Sequence, residues 1–565
     1  GTNKITAASL VINADGAVSI DTAVTNAELS STGVIDISND GNLTIKELSV
    51  SGAGAVDIAA EGVITISTTA VSNSATGAVT INADSEGDGG GEIATSVAIT
   101  HDGNISLEAD TITIGANINT GSTDTLTIKS STGTSASIGL GNSATGTINI
   151  DATEAAYLQS TGDGFIIIGE AGQSGVVDAN AVTFKTDTTI HGGAVTLSSI
   201  TANDGSSNKA LTLNVGAITD GTSDTVVDLT ASTLTITTSG AIGSGAEAVE
   251  TAADTLVITA TSGDVYIGES GAVILGAVNV GSNGLTLSSG GAITQTGALT
   301  AGTLAISNTS GDITLTNGSN NITNLGTSTA YGAFSLDNAT NNLSLTGTVE
   351  TRDDSGGAIT IDVGTGSLDT ADQLINSRDG DDSNNDSGTI TLIADTIDLG
   401  TTADKITTTG AVILKPDTTN TAINISTGSA ENAGTGFDLS TNEVEAVNNT
   451  TSKLTIGKVS GSSAGAVALS ADVYDFASLE VLGNGITVGG AITTSNDTDI
   501  DLDGDTITVS AGVTTGTGSI TLEADSGITI SGVALTTTGA AIDLGSAAIT
   551  LDTGTVTLTT GSGSA

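Results

Sequence analysis

The chain has 565 residues, of which 63 are acidic and 11 basic, so its formal net charge is −52. This balance excludes nucleic acid as a partner, because 11 scattered Lys and Arg residues cannot build a basic patch, and the absence of Cys excludes disulfides and thiol chemistry. With 37% hydrophobic residues but only 4 Tyr, 5 Phe and no Trp, the composition suits a narrow core of Val, Ile, Leu and Ala rather than several compact domains.

Short segments that alternate apolar and polar residues recur from the start of the chain, most of them led by Gly or Asp. The clearest early ones are residues 33–37, 54–58, 77–81, 103–107 and 124–128. Alternation with a period of two predicts strands that bury one face. Because these segments begin 21 to 26 residues apart, each group of strands is predicted to form one turn of a solenoid. We therefore predict an all-β fold, one continuous β-solenoid over residues 1–565.

Two segments are predicted to leave this pattern as short helical insertions, near residues 151–158 and 440–447. In each, an Asp or Ser is followed three residues later by a Glu, which is the spacing of a capping box at a helix start. We interpret the aromatic residues near both segments as fillers of a wider coil, with a sugar-binding aromatic platform as the alternative. These aromatic residues are Tyr157, Phe165, Phe184, Phe437, Tyr474 and Phe476.

The two helical segments belong to a longer internal repeat. Residues 103–115 match residues 388–400 at an offset of 285, and further matching segments follow in the same order. We predict a duplicated unit of roughly 290 residues, in which about residues 77–200 correspond to residues 357–490.

Charged and nucleophilic residues give little support for an enzyme. Arg352 and Arg378 each stand beside an acidic stretch, which we interpret as a solvated loop with local charge compensation rather than a catalytic site. His101 and His191 are 90 residues apart, and each is predicted to lie at a surface corner. No catalytic residue is predicted.

An acidic row follows near the end of the chain, where Asp497, Asp499, Asp501, Asp503 and Asp505 occupy alternate positions. In a strand their carboxylates project from one face, where they repel one another. We interpret the row mainly as an outward acidic face. Because hard oxygen ligands suit Ca²⁺, Asp499, Asp501 and Asp503 are also the candidate ligands of a calcium site, and no required cofactor is predicted.

Several segments carry a resemblance to a known family. They are residues 388–395 (Gly-Thr-Ile-Thr-Leu-Ile-Ala-Asp), residues 518–525 (Gly-Ser-Ile-Thr-Leu-Glu-Ala-Asp), and residues 437–443 with the segments 454–457 and 465–467 that follow. The chain resembles, over nearly its whole length, the filamentous-haemagglutinin-like passengers of two-partner secretion and related giant bacterial surface proteins. This resemblance implies a right-handed parallel β-helix outside the cell that serves as an adhesin stalk or fibre. The secretion domain of that family has no counterpart in these residues.

Together these features predict a non-enzymatic structural protein, extracellular or at the cell surface, that forms a rod or filament. Neither end of the sequence offers a helical cap, so copies are expected to associate end to end, or the chain is part of a longer parent. The alternatives are a carbohydrate-binding adhesin stalk that contacts surface glycans and, less favoured, a polysaccharide-degrading β-helix enzyme. No apolar stretch is long enough to predict a transmembrane segment. Divalent cations are expected to stabilise so acidic a rod or to promote its bundling.

Overall fold

The chain divides into two compact units, Gly1–Asn283 and Gly284–Ala565. Each unit stacks short parallel β-strands turn upon turn, which confirms the predicted all-β solenoid class. Continuity of the solenoid over residues 1–565 stays a prediction. The computed structural model describes residues 4–67, 71–73, 76–161, 164–222, 225–352, 357–377, 388–425, 437–458, 465–494 and 497–561.

The first unit contains one short helix, α1 (Ala152–Tyr157), among its described residues. Its strands are β1 Ile5–Ala14, β2 Val18–Ser31, β3 Ile35–Asn39, β4 Leu43–Val50, β5 Val56–Ala60, β6 Ile64–Ile66, β7 Val71–Asn73, β8 Val79–Ala83, β9 Glu92–Thr95, β10 Ile99–His101, β11 Ile105–Glu108, β12 Thr111–Ile114, β13 Ile118–Asn119, β14 Thr125–Lys129, β15 Ile138–Gly141, β16 Ile148–Ile150, β17 Phe165–Ile168, β18 Val177–Asn180, β19 Val182–Phe184, β20 Asp187–His191, β21 Val195–Leu197, β22 Ile200–Ala202, β23 Leu211–Val215, β24 Ile218–Asp220, β25 Leu229–Thr238, β26 Val249–Ala260, β27 Val265–Glu269 and β28 Val273–Asn279.

The second unit contains the helix α2 (Thr441–Glu445). Its strands are β29 Gly284–Ser289, β30 Ile293–Gln295, β31 Leu299–Asn308, β32 Ile313–Leu315, β33 Asn321–Leu325, β34 Ser328–Ala330, β35 Phe334–Asp337, β36 Leu343–Leu345, β37 Val349–Thr351, β38 Ile359–Asp362, β39 Ser367–Asp369, β40 Ile375–Asn376, β41 Ile390–Ile393, β42 Thr396–Asp398, β43 Ile406–Thr407, β44 Ala411–Lys415, β45 Ile423–Ile425, β46 Phe437–Leu439, β47 Lys453–Gly457, β48 Val467–Leu469, β49 Asp472–Tyr474, β50 Ser478–Val488, β51 Ile492–Thr494, β52 Asp499–Val509, β53 Val513–Thr514, β54 Ile520–Ile530, β55 Ala534–Thr537, β56 Ile542–Asp543, β57 Ile549–Leu551 and β58 Thr557–Thr560. Neither helix of the described residues has the length and apolar character that a membrane span requires.

The core of the first unit consists of ladders of buried apolar side chains, with one rung from each turn. In one ladder Ile35 pairs with Val56, Val56 with Val79, and Val79 with Ile105, and all four side chains are buried. The residues between them in each strand face outward, as the alternating burial of β3 illustrates. Each turn therefore covers the apolar face of the turn before it, which a single turn could not bury alone.

The second unit is built in the same way. Ile359 pairs with Ile390, Ile390 with Val412, and Val412 with Leu454, and the four side chains form a continuous buried ladder. Small and β-branched side chains fill this narrow interior, which explains why the composition has so few aromatic residues.

In each unit, one turn that carries a helix is much longer than the turns of the early ladder. The ladder neighbours Leu126 and Ile166 are 40 residues apart in sequence, and α1 lies between them. The neighbours Val412 and Leu454 are 42 residues apart, and α2 lies between them. Strand pairing is in register across each of these longer turns, from β14 to β17 and from β44 to β47. The predicted insertions near residues 151–158 and 440–447 are confirmed.

Helix α1 begins at the predicted capping box. Oδ1 of Asp151 accepts hydrogen bonds from the backbone N–H groups of Thr153 and Glu154, at 2.7 and 2.8 Å. The Glu154 carboxylate in turn accepts the N–H of Asp151 at 2.9 Å, while its other oxygen accepts the N–H of Ile114 at 2.9 Å. The same glutamate thus caps the helix and fastens it to a strand of an earlier turn.

Helix α2 repeats this arrangement. Oγ of Ser440 accepts the N–H of Glu443, and the Glu443 carboxylate accepts the N–H groups of Ser440 and Leu399 at 2.7 and 3.2 Å. Leu399 is the residue that the 285-residue sequence match pairs with Ile114. Both units therefore contain the same contact at matched positions, and in both, burial raises the pKa of the glutamate.

The aromatic residues near the helices differ in burial, and Tyr157, the last residue of α1, is half-buried. Phe184, Phe437, Tyr474 and Phe476 are buried, in agreement with their interpretation as fillers. Phe165 is 42% exposed because it opens β17 on the outward-facing side of the strand, so the filler interpretation is wrong for this residue.

Candidate functional site

The five aspartates that alternate near the end of the chain lie on the outside of the second unit. Asp497, Asp499, Asp501, Asp503 and Asp505 are exposed or half-buried, whereas the residues between them are buried. We call these five residues the outer acidic row. Oδ1 of Asp499 accepts hydrogen bonds from the backbone N–H and the hydroxyl of Ser519, both at 2.7 Å. The row forms an acidic face, and the calcium site at Asp499, Asp501 and Asp503 stays a prediction.

Neighbouring turns extend this acidic face. Asp501 lies beside Glu480 of the preceding turn, and Asp503 lies beside Glu523 of the following turn. Nζ of Lys453 approaches the Glu480 carboxylate to 2.6 Å and supplies one positive charge. Burial, followed by repulsion from Glu480 and Glu523, raises the pKa of Asp501. Acidic residues stacked on successive turns therefore hinder one another's ionisation.

The two histidines occupy different surroundings. His101 is 1% exposed, so the surface position predicted for it is wrong. It follows the buried Ile99 by two residues in β10 and therefore faces the interior, where its Nε2 lies 2.6 Å from the carbonyl oxygen of Gly77. His191 is half-buried and lines an open cavity of about 620 Å³, and burial lowers its pKa. No carboxylate of the described residues lines this cavity.

Of the two arginines, Arg352 lies within the described residues and pairs with a nearby carboxylate. Nε of Arg352 donates to the Glu350 carboxylate two residues earlier in the chain, at 2.9 Å. Arg378 and both predicted acidic stretches, residues 353–354 and 379–382, lie outside the described residues.

Three carboxylates that the sequence analysis did not single out come together in the first unit. One oxygen from each of Asp220, Asp228 and Glu250 lies within 4.8 Å of the other two. Within the part of the chain that the structure describes, no other three His, Cys, Asp or Glu side chains lie so close. We call these residues the buried carboxylate cluster.

Hydrogen bonds to the backbone hold the members of this cluster in place. Asp220 ends β24, and its Oδ1 accepts the backbone N–H of Thr222 at 2.8 Å. Asp228 directly precedes β25, and its Oδ2 accepts the N–H of Glu250 at 3.0 Å. Glu250 lies in β26, which pairs with β25 in parallel, so Asp228 and Glu250 occupy the same position on successive turns.

The cluster concentrates negative charge where water has limited access, since Asp220 and Asp228 are buried and Glu250 is half-buried. The Asp228 side chain is 1% exposed, and its Oδ1 has no hydrogen-bond partner. Burial, together with the charges of Asp220 and Glu250, raises the pKa of Asp228 to about 7. An oxygen in this position requires a proton or a cation for stability, because an unpaired buried carboxylate is costly.

Sequence reasoning missed this cluster because its members are far apart in the chain. Asp228 and Glu250 are separated by 22 residues, one turn of the solenoid, so a search for acidic residues one period apart would have found that pair. Asp220 lies on a different strand of the same turn, and no spacing rule would have added it. Its position is set by β24, which pairs with β21 of the preceding turn.

Comparisons with known proteins support a repeat architecture. Residues 262–329 match a family described as repeats of unknown function (DUF5649). No curated protein and no solved structure matches the chain. The chain is therefore a β-solenoid repeat protein, and its resemblance to filamentous-haemagglutinin-like passengers stays a prediction.

Proposed function

We propose that this chain is a non-enzymatic structural protein, an extracellular or cell-surface component of a rod, stalk or fibre. The observation that carries this proposal is the uniform stacking within each unit, where one buried ladder rung follows another from turn to turn. A fold of this kind gains length by adding turns, each of which contacts only its neighbours. The extracellular location is supported by the lack of Cys and by the family resemblance of the repeats.

Small-angle X-ray scattering of the full chain tests the rod. At about 22 residues per turn and about 4.8 Å between neighbouring strands, the expected maximum dimension is on the order of 120 Å, with a constant narrow cross-section. A compact particle of the same mass would contradict the proposal.

We further propose that copies associate end to end through the face of β57 and β58. These strands expose Ile549, Leu551 and Leu558, the last two by 63% and 50%. The residues that pair with them one turn earlier, Ile528, Ile530 and Leu535, are buried. Another turn laid on this face would continue the same ladders, whether it comes from a second copy or from the same parent chain.

Sedimentation velocity tests this association. We expect the wild-type chain to form concentration-dependent oligomers and the Leu551→Glu/Leu558→Glu variant to sediment as a monomer, because two charges would be buried in the joint. Val473→Glu is the matched control, since Val473 is 61% exposed on a different strand, β49, and its replacement should leave association unchanged. A wild-type chain that stays monomeric at all concentrations would contradict end-to-end association but not the rod.

A further inference from the structure

The buried carboxylate cluster has the composition and the spacing of a cation site. One oxygen from each of Asp220, Asp228 and Glu250 lies within 4.8 Å of the other two, so a single ion placed among them can contact all three. We propose that this cluster binds one Ca²⁺ ion. The proposal is independent of the proposed structural function.

The burial and the hydrogen bonding of Asp228 are the observations that point to a ligand. This side chain is 1% exposed, and one of its two oxygens accepts a hydrogen bond from the backbone of Glu250. The other, Oδ1, is buried and has no hydrogen-bond partner. Buried polar atoms in folded proteins nearly always have a partner, and a cation between the three carboxylates would supply one.

The surrounding structure keeps the three carboxylates together in spite of their repulsion. The Asp228 N–H donates to the Glu250 carbonyl at 2.9 Å, and the Ile200 N–H donates to the Asp228 carbonyl at 2.6 Å. Asp220 is held separately by the backbone N–H and the hydroxyl of Thr222. Backbone pairing also holds Asp220, because β24 pairs with β21 up to this residue. These bonds keep the backbone of all three residues in place, so a preformed site results.

The donor set favours Ca²⁺ over other ions. All three side chains offer carboxylate oxygens, which are hard ligands, and none offers nitrogen or sulfur for Zn²⁺ or copper. Ca²⁺ accepts six to eight oxygen ligands in irregular geometry, whereas Mg²⁺ requires near-octahedral geometry and retains several waters. Three carboxylates from separate parts of the fold, two of them buried and one half-buried, suit the larger and less demanding ion.

Isothermal titration calorimetry of the EDTA-treated full chain with CaCl₂ tests the site. Measurements in about 0.15 M KCl suppress diffuse cation binding by so acidic a chain. We expect one Ca²⁺-binding event per chain that Asp228→Asn weakens roughly tenfold or more, because ligand charge sets affinity in such sites. Asp254→Asn is the matched control, since Asp254 is exposed on the same strand as Glu250 and its loss should change that affinity less than about twofold.

Several results would overturn the proposal. One is a wild-type titration without this event, and another is an event of unchanged affinity in Asp228→Asn. If Asp228→Asn does not fold by circular dichroism, Glu250→Gln replaces it, and unchanged binding there counts equally against the site. Equal competition by MgCl₂ would contradict the choice of Ca²⁺. If Asp228→Asn raises the melting temperature by the same amount in EDTA and in CaCl₂, the carboxylates share a proton rather than a metal ion.

Discussion

The outer acidic row and the buried carboxylate cluster are made of the same kind of side chain but differ in how they assemble. The row places Asp499, Asp501 and Asp503 on alternate positions of one strand, where they point to the outside. The cluster draws Asp228 and Glu250 from successive turns, where Asp228 is buried and Glu250 half-buried. Carboxylates that are close in sequence thus remain spread along a strand, while carboxylates one turn apart are brought together.

This difference follows from the geometry of a parallel stack. Residues two apart on a strand are separated by about 6.6 Å along it, whereas matched residues on neighbouring strands are about 4.8 Å apart. Charge repulsion in a solenoid therefore acts mainly from turn to turn rather than along a strand. The raised pKa of Asp501 follows the same rule, because Glu480 and Glu523 on adjacent turns raise it more than its strand neighbour Asp503 does.

The largest expected effect separates the two regions by their response to pH. In EDTA, the Asp228 carboxyl has a folded-state pKa of about 7 against an ordinary value of 3.8, so folding favours its protonated form. The stability this contributes is present below about pH 4 and is lost as the pH rises through about 7. Between pH 5 and pH 8 the wild-type chain should lose about 2 to 3 kcal/mol that Asp228→Asn does not lose.

Thermal denaturation followed by circular dichroism at pH 5, 6, 7 and 8 measures this difference. The exposed Asp254→Asn variant is the control and should parallel the wild type. Parallel curves for Asp228→Asn and the wild type would show that Asp228 is ionised without cost.

A smaller effect distinguishes two members of the outer acidic row. Asp499→Ala removes the acceptor of two hydrogen bonds from Ser519 and should be destabilising. Asp501→Ala removes a half-buried carboxylate whose Oδ1 has no hydrogen-bond partner and which is repelled by neighbouring turns, so it should be neutral or stabilising. At pH 7.5 we expect Asp501→Ala to be more stable than Asp499→Ala by about 1 to 2 kcal/mol, measured by urea denaturation. If Asp499→Ala were instead the more stable variant, repulsion between aspartates of the same strand would outweigh repulsion between neighbouring turns.

The smallest effect concerns Lys453, the positively charged side chain on the acidic face. Lys453→Met removes the partner of Glu480 and a charge that lowers the pKa of Asp501, so stability should fall by up to about 1 kcal/mol at low ionic strength. The loss should shrink in about 1 M NaCl, where exposed charges are screened within a few ångströms. A loss that does not depend on salt would point to packing of the lysine stem instead.

The helical insertions show which features of the fold could be predicted from local sequence. The spacing of Asp151 with Glu154, and of Ser440 with Glu443, predicted both helix starts because a capping box involves only residues three apart. The contacts from these glutamates to Ile114 and Leu399 were not predictable in the same way, since they join positions 40 and 44 residues apart. The inward position of His101 was within reach of local sequence, because His101 lies two residues after the buried Ile99 on the same face of β10.

The sequence by itself determined the solenoid class, the alternation of buried and outward residues and the places where helices interrupt the turns. These features depend on residues within a few positions of one another, and each repeat of the sequence shows the same local pattern again. The tertiary structure alone decided that Asp220, Asp228 and Glu250 meet. That outcome depends on the register between turns, because the geometry of the stack, rather than distance along the chain, determines which side chains are neighbours.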